Sequence, residues 1–375
     1  MSLRIGGMGW VTPLGSGLAE VWQRLLEGET ATSEEIASPL GDRTFPVFRV
    51  PPAAIAALPP HPRLRRSSAI SRFAVAAGLA ALQDAGVALA LATAERTALI
   101  FAVSNGGVIY TKRFYNDVVE SGPQAASPLL FPETVFNAPA SHLAAILGIT
   151  GTSYTLVGDG AVGLLALKMA EDLLVTPALD RCLVVSAEEA DWLLCDAYRR
   201  WRLLREAPPV EPFQPQPRGT ILSEGAGAVL LDRDGPVVIE EIAAGCNFEH
   251  QRSAAHCVDR VFAHLKPTND DLIVASANGT FIDAAESAAI AHHCPTSRVF
   301  TPKRALGESV GASSIWQVIV AAQALRTRQL PEAPQPVRRD VPVNQRPPNR
   351  AIVSACGMNQ QVAGMSLTAS SSNGD

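Results

Sequence analysis

Residues 153–170 read SYTLVGDGAVGLLALKMA, a β-branched run followed by a break at Gly158, Asp159 and Gly160. Apolar residues then surround nearly the whole circumference of residues 162–174, which predicts a strand, a tight turn and a fully buried helix. We expect Asp159 or Gly158 to cap the helix. Its first turn would present unpaired N–H groups and a positive dipole end, which suit an anion or a reactive group.

The remaining composition predicts a large globular protein. The chain has 375 residues, of which 47% are hydrophobic and 18% charged. This length exceeds one simple core, so either two halves or one large layered domain is expected. The high apolar fraction indicates packed helices and sheets rather than disorder.

Charge and motif counts exclude several classes of function. Lysine and arginine number 31 and aspartate and glutamate 36, a net charge of −5 that argues against nucleic-acid binding. The six cysteines lack C-x-x-C spacing, so neither a metal site nor a disulfide is predicted. The N-terminal residues lack a signal-peptide pattern, and no apolar run reaches the length of a membrane span. The sequence therefore predicts a cytoplasmic protein.

The 153–170 stretch resembles the nucleophile elbow of the β-ketoacyl synthases, the condensing enzymes of fatty-acid and polyketide biosynthesis. The family pattern is roughly S-Y-T-V-S-T-A-C-A-S-G before an apolar helix. Laid on it without gaps, the family's cysteine falls on Gly160. The residues that match are Ser153, Tyr154, Thr155, Ala161 and Gly163.

Three further stretches carry the resemblance. Residues 5–29, IGGMGWVTPLGSGLAEVWQRLLEGE, are similar to the family's first strand, turn and helix. Residues 127–138, SPLLFPETVFNA, resemble its dimer-interface and acyl-pocket region. Residues 223–232, SEGAGAVLLD, match its E-G-A-G run. The resemblance spans most of residues 3–367.

In the family, a cysteine accepts the acyl chain, and two histidines assist decarboxylation and stabilise the enolate. Here the cysteine position holds Gly160, and the two histidine positions hold Asn278 and Glu308. Lys303 of the second motif is retained. A glycine offers no nucleophile and an asparagine does not titrate near neutral pH, so no catalytic group is expected to be active.

The resemblance implies a fold as well as a site. We expect an α/β protein with the thiolase-like layered α/β/α/β/α fold, built from two similar halves. The expected halves are residues 1–235 and 236–367, followed by a disordered tail over residues 368–375. The substrate-binding positions that the resemblance implies are Phe131, Phe136, Thr280 and Asn359.

The missing catalysts make the chain similar to chain length factors. We therefore expect a non-condensing subunit that pairs with an active ketosynthase, or with itself, and helps to shape the acyl pocket. An acyl carrier protein would be a further partner. Substrates would arrive on its phosphopantetheine, and no cofactor bound to this chain is expected.

Two other functions stay open at this point. The chain could be an acyltransferase-class enzyme that uses Asp159, Glu308 or Lys303 on an acyl thioester. It could also be a stand-alone protein that binds acyl carriers or acyl thioesters.

Overall fold

The computed structural model describes residues 3–65, 67–88, 91–331 and 346–370. Its strands are β1 Arg4–Thr12, β2 Gly15–Ser16, β3 Ser33–Ala37, β4 Thr44–Phe48, β5 Thr97–Val103, β6 Ser153–Val157, β7 Arg181–Glu188, β8 Leu222–Ser223, β9 Gly225–Asp232, β10 Val237–Asn247, β11 Leu272–Val274, β12 Arg298–Phe300, β13 Arg350–Cys356 and β14 Gln361–Ala369. Its α-helices are α1 Leu18–Leu26, α2 Ala69–Asp84, α3 Leu91–Ala94, α4 Val108–Ser121, α5 Ala138–Leu147, α6 Val162–Leu173, α7 Trp192–Arg200, α8 Ala254–Leu265, α9 Phe281–His293, α10 Lys303–Leu306 and α11 Ser313–Thr327.

The two halves of the chain repeat one strand pattern. In the first half the neighbours run β1, β9, β7, β5, β6, and in the second half β10, β14, β13, β11, β12. In each series the first two pairings are antiparallel and the last two are parallel. This matching order confirms the prediction of two similar halves.

The halves meet along a short seam between β1 and β10. Arg4 pairs with Val238 and Ile5 with Val237, which joins both series into one sheet of eleven strands among the described residues. The strands β3, β4 and β8 form a separate small sheet.

The helices complete five layers. Helix α6 contacts strands of both halves, as does α11, so these two helices form the central layer. Helices α2 and α5 cover the outer face of the first half, while α8 and α9 cover that of the second. This is the expected α/β/α/β/α order. Among the described residues, no helix combines the length and the apolarity that crossing a membrane requires.

Local sequence signals account for several elements. Strand β1 and helix α1 lie in the stretch that resembles the family's first strand, turn and helix, because Pro13 and two nearby glycines separate an apolar run from a helical repeat. Strand β11 ends at Val274, since the amides of Ser276 and Ala277 donate to the carboxylate of Glu286 instead of a neighbouring strand.

Three expectations are corrected by the structure. Helix α6 is not buried on all sides, because Lys168 and Asp172 in its second half reach solvent and pair with each other, although Ala170 between them remains buried. Its N-cap residue is Ala161, not Asp159 or Gly158, and no side chain caps it. The chain is still ordered at 368 and 369, which belong to β14, while residues 371–375 of the predicted tail lie outside the described residues.

Candidate functional site

The turn between β6 and α6 leaves no room for a side chain at Gly160. A Cβ placed there would lie 2.9 Å from the Cα of Gly357 and 3.6 Å from the carbonyl oxygen of Cys356. The first distance is shorter than real Cβ contacts, and the obstacle is backbone rather than a movable side chain. The loop after β13 therefore fills the space toward which a nucleophile would point.

Asp159 holds that loop against the elbow. Its Oδ2 accepts hydrogen bonds from the backbone N–H groups of Asn359, at 2.8 Å, and Gln360, at 3.0 Å. The Asp159 N–H donates to Oε1 of Gln361 at 2.7 Å. A Cβ on Gly357 would overlap the Asp159 carboxylate, so this close approach requires glycine. We call residues 357–361, held in this way, the latch loop.

The start of α6 is also occupied. The N–H of Val162 donates to the carbonyl of Asp159 at 2.8 Å, and the N–H of Gly163 donates to Oγ of Ser314 at 3.2 Å. Ser314 belongs to the other central helix, α11. The free anion-binding turn predicted from the sequence is therefore filled by the protein's own groups.

Glu308 is the centre of a buried polar cluster. Its Oε2 accepts from Lys303 Nζ and from Asn278 Nδ2, each at 2.7 Å. Its Oε1 accepts from Ser313 Oγ at 2.7 Å and from the Val310 N–H at 3.1 Å. All four partners donate, an arrangement that suits the ionised carboxylate and leaves it no proton to give.

Asn278 is held equally firmly. Its Oδ1 accepts from the hydroxyl of Thr280 at 2.6 Å and from the Thr280 N–H at 3.2 Å. The Asn278 backbone N–H donates to Oδ1 of Asp283 at 2.8 Å. The side-chain oxygen of Asn278 therefore accepts hydrogen bonds from the turn that starts α9, and its side-chain amide donates one hydrogen bond to Glu308.

Ser276 and Cys356, which the sequence motifs do not identify, connect this cluster to the elbow. Lys303 Nζ donates to Ser276 Oγ at 3.0 Å, and Ser276 Oγ donates to the carbonyl of Cys356 at 3.0 Å. That carbonyl lies on the side of Gly160 toward which a side chain would point. The structure therefore brings Asn278, Glu308 and Lys303 into direct contact, with Gly160 two hydrogen bonds away.

The thiol of Cys356 does not replace the missing nucleophile. Burial raises the pKa of Cys356 well above its usual value. The thiolate, not the thiol, is the nucleophilic form, and such a buried cysteine stays protonated. Its neighbours Glu286 and Asp159 raise the pKa further through their negative charge.

A second group of carboxyls lies beside the small sheet. Glu224 accepts from Arg49 Nη1 at 2.9 Å and from the Val50 N–H at 3.2 Å, and so joins β8 and β9 to the end of β4. Burial raises the pKa of Glu189 to about 7, and the nearby charge of Glu224 adds to that rise. Glu189 is not among the hydrogen-bond partners of Glu308 in the described part of the chain, which are Asn278, Lys303, Val310 and Ser313.

A cavity of about 880 Å³ opens just outside the latch loop. It is lined by Trp201, Leu203, Met358, Asn359 and residues 249–253. Met358 and Asn359 adjoin Gly357, which closes the elbow. A molecule in this cavity therefore meets the latch loop before it could reach Gly160.

The four predicted substrate-binding residues fall in three places. Asn359 lines the cavity, whereas Thr280 is buried in the Asn278 turn. Phe131 and Phe136 are 56% and 45% exposed on the surface formed by the segment between α4 and α5. The structure does not bring these four residues into one pocket.

Comparison with known proteins agrees with this architecture. The protein is similar to the nodulation protein E of Rhizobium leguminosarum bv. trifolii, with 26% identity over 355 residues and 87% of each chain covered. It is 22% identical over 364 residues to the 3-oxoacyl-[acyl-carrier-protein] synthase 2 of Coxiella burnetii, covering 87% of this chain and 86% of the relative.

A solved structure shares the fold across nearly the whole length. The ishigamide ketosynthase/chain length factor superposes with a TM-score of 0.84 at 20% identity, and the match covers 98% of this chain and 99% of the other. The family model of the beta-ketoacyl synthase N-terminal domain matches residues 2–235. That match spans more than half of the sequence, and the protein therefore belongs to the β-ketoacyl synthase family.

Proposed function

We propose that this chain is a non-condensing β-ketoacyl synthase-like subunit that pairs with an active ketosynthase and shapes its acyl pocket. The observation that carries the proposal is the uncovered edge strand β6, which ends the sheet next to the closed elbow. Tyr154 and Val157 of this strand are 44% and 52% exposed. An apolar edge strand is a ready surface for pairing with another chain.

The apolar surface extends beyond the strand. Large apolar side chains are exposed along α4, along the segment before α5 and along β6, and the ring of Phe131 packs at an angle against that of Phe114 with centroids 5.7 Å apart. Many exposed large apolar side chains in one part of a protein are typical of a protein interface. The exposed members are Tyr115, Val119, Leu129, Phe131, Val135, Phe136, Tyr154 and Val157.

The polar cluster supports a role without condensation. Condensation in this family needs a nucleophile and groups that stabilise an enolate. Here Gly160 is closed by backbone, and Glu308 already accepts four hydrogen bonds. The same contacts weigh against a rewired enzyme, since Asp159, Glu308 and Lys303 are all engaged within the protein.

An acyl carrier protein is the second partner in this proposal. The name of the Coxiella burnetii relative, 3-oxoacyl-[acyl-carrier-protein] synthase 2, includes an acyl carrier protein. In our proposal the phosphopantetheine arm of such a carrier, with its acyl thioester, enters the 880 Å³ cavity. No cofactor bound to this chain is needed.

The test is co-production with an intact Cys-His-His ketosynthase encoded beside this gene. We expect the two chains to co-purify as a heterodimer and the pair to condense. Val157→Lys places a charge on the edge strand and should abolish co-purification. Val175→Lys is the control, because Val175 is also exposed and apolar but lies at the far end of α6.

Product length distinguishes a chain that shapes the acyl pocket from one that only pairs with the ketosynthase. Phe136→Ala should keep the heterodimer and lengthen the product, because it removes a large side chain beside the proposed interface. Intact-protein mass spectrometry should show acyl groups on the ketosynthase and none on this chain. A stable monomer, a homodimer that condenses alone or an acyl adduct on this chain would overturn the proposal.

A further inference from the structure

Helices α8 and α9 pack side by side on the outer face of the second half, and three potential metal ligands meet where α9 ends. Asp259 lies on α8, while His292 and His293 are the last two residues of α9. His292 Nδ1 and His293 Nε2 both lie 2.9 Å from the same oxygen, Oδ1 of Asp259. The three ligand atoms lie within 4.8 Å of one another.

The trio of Asp259, His292 and His293 is partly enclosed by neighbouring side chains. The two imidazole rings have centroids 4.3 Å apart, and the His293 ring also lies 6.1 Å from that of Phe262. His293 is 18% exposed and His292 is 70% exposed. One side of the cluster is therefore fixed by packing, and the other faces water.

The chemistry of this set is that of a transition-metal site. Two neutral imidazoles and one carboxylate carry a single negative charge and present two nitrogen ligands and one oxygen ligand. Zinc is bound by such sets, with a water in the fourth position when three protein ligands are present. Imidazole nitrogen favours zinc, copper and nickel over magnesium and calcium.

Hydrogen bonding keeps the carboxylate available. The hydrogen bonds from His292 and His293 lower the pKa of Asp259 below its usual value. Among the described residues this is the one group of three or more such ligands that converges.

We propose that Asp259, His292 and His293 bind one divalent transition-metal ion of the zinc class. The ion would join the end of α9 to the middle of α8, with its remaining position open to water or to a ligand from solution. The site is separate from the elbow and from the proposed heterodimer surface. The expectation of no metal site rested on cysteine spacing, and this set contains no cysteine.

The consequence for the protein is stability that depends on metal. An ion that binds the folded chain and not the unfolded chain raises the unfolding temperature with concentration.

The experiment starts from the full chain dialysed against EDTA and then freed of chelator. ZnCl2 is added while heat release and thermal unfolding are measured, with MgCl2 as the comparison ion. We expect one zinc per chain, a rise in unfolding temperature with zinc and no rise with magnesium. His293→Ala and Asp259→Asn should weaken zinc binding by more than about tenfold and remove the temperature rise.

His264→Ala is the matched control. His264 is also on α8 and also contacts a carboxylate, Glu241, at 3.1 Å, but it belongs to a pair rather than a trio. It should leave the zinc response unchanged. His292→Ala provides a variant that keeps the fold, because its side chain is largely exposed.

Two outcomes would overturn the proposal. One is a zinc response that survives in His292→Ala and His293→Ala alike. The other is an unmodified chain that binds no zinc, which would make Asp259, His292 and His293 a hydrogen-bonded cluster only.

Discussion

Lys303 and Glu308 form an ion pair in the interior, with Nζ 2.7 Å from Oε2 and each side chain only 2% exposed. Family resemblance places a histidine at the Glu308 position. A carboxylate there is accommodated because Lys303, Asn278 and Ser313 all donate to it. In the structure both groups are bonded to other groups of the same protein.

Breaking this pair should destabilise the fold strongly. Glu308→Ala leaves the Lys303 ammonium buried without its carboxylate, and we expect a loss of about 3–5 kcal/mol of unfolding free energy. The double variant Lys303→Met with Glu308→Leu should be more stable than Glu308→Ala. Urea denaturation measures both. Glu171→Ala, which removes a surface partner of Lys168, should change stability by less than about 1 kcal/mol. An equally small effect for Glu308→Ala would contradict this account.

Restoring the family's cysteine should cost stability without restoring chemistry. In Gly160→Cys the new Cβ meets the Gly357 backbone at 2.9 Å, so we expect a loss of about 1–3 kcal/mol. No stable acyl adduct should appear on incubation with acyl carrier protein, as read by intact-protein mass spectrometry. Gly6→Ala is the control for adding a Cβ, because its nearest neighbour is at an ordinary 3.4 Å. Efficient acylation of Gly160→Cys would contradict this expectation and show that the latch loop moves away from residue 160 readily.

Removing the Asp159 carboxylate should free the latch loop. Asp159→Ala deletes the acceptor of the Asn359 and Gln360 amides, and each such bond to a charged group is worth about 1.5–3 kcal/mol. Hydrogen–deuterium exchange over residues 357–361 should therefore speed up by about tenfold or more. Asp172→Ala, at the exposed end of α6, should leave that exchange unchanged. Unchanged exchange in both variants would mean that the loop is held by other contacts.

Glu189 should make the protein less stable as pH rises toward neutrality. Its pKa is about 7 in the folded protein against a usual 4.5, so the folded chain keeps a proton that the unfolded chain releases. Unfolding free energy therefore falls between about pH 4.5 and pH 7, and stays lower above that window.

In Glu189→Gln the unfolding free energy should fall by about 1–3 kcal/mol less between pH 5 and pH 8 than in the unmodified protein. Part of the fall should remain, because burial also raises the pKa of Glu188 to about 8. Glu35→Gln on the exposed strand β3 is the control. The measurement is urea denaturation at both pH values, and a slope in Glu189→Gln equal to that of the unmodified protein would contradict the assignment.

The fold could be predicted where local patterns are strong. The bounds of β1, α1 and β5 follow from short apolar runs that end at glycine or proline signals. The family motifs also identified the positions of Gly160, Asn278 and Glu308, which surround one site in the structure. The burial of α6 was overestimated, since polar residues in its last turns pair with each other at the surface.

The closure of the elbow could not be predicted, because it depends on contacts between distant segments. Nothing near Gly160 in the sequence shows that Gly357 will lie against it, or that Ser276 will reach the carbonyl of Cys356. The trio of Asp259, His292 and His293 shows the same limit. The paired histidines are visible in the sequence, but their carboxylate partner comes from another helix.

Within the part of the chain that the structure describes, strand β6 has no neighbouring strand on one side of its backbone. Such an open row of N–H and C=O groups, with Tyr154 and Val157 beside it, is also a template for irreversible self-association. The chain produced on its own at high concentration is therefore expected to aggregate through this edge.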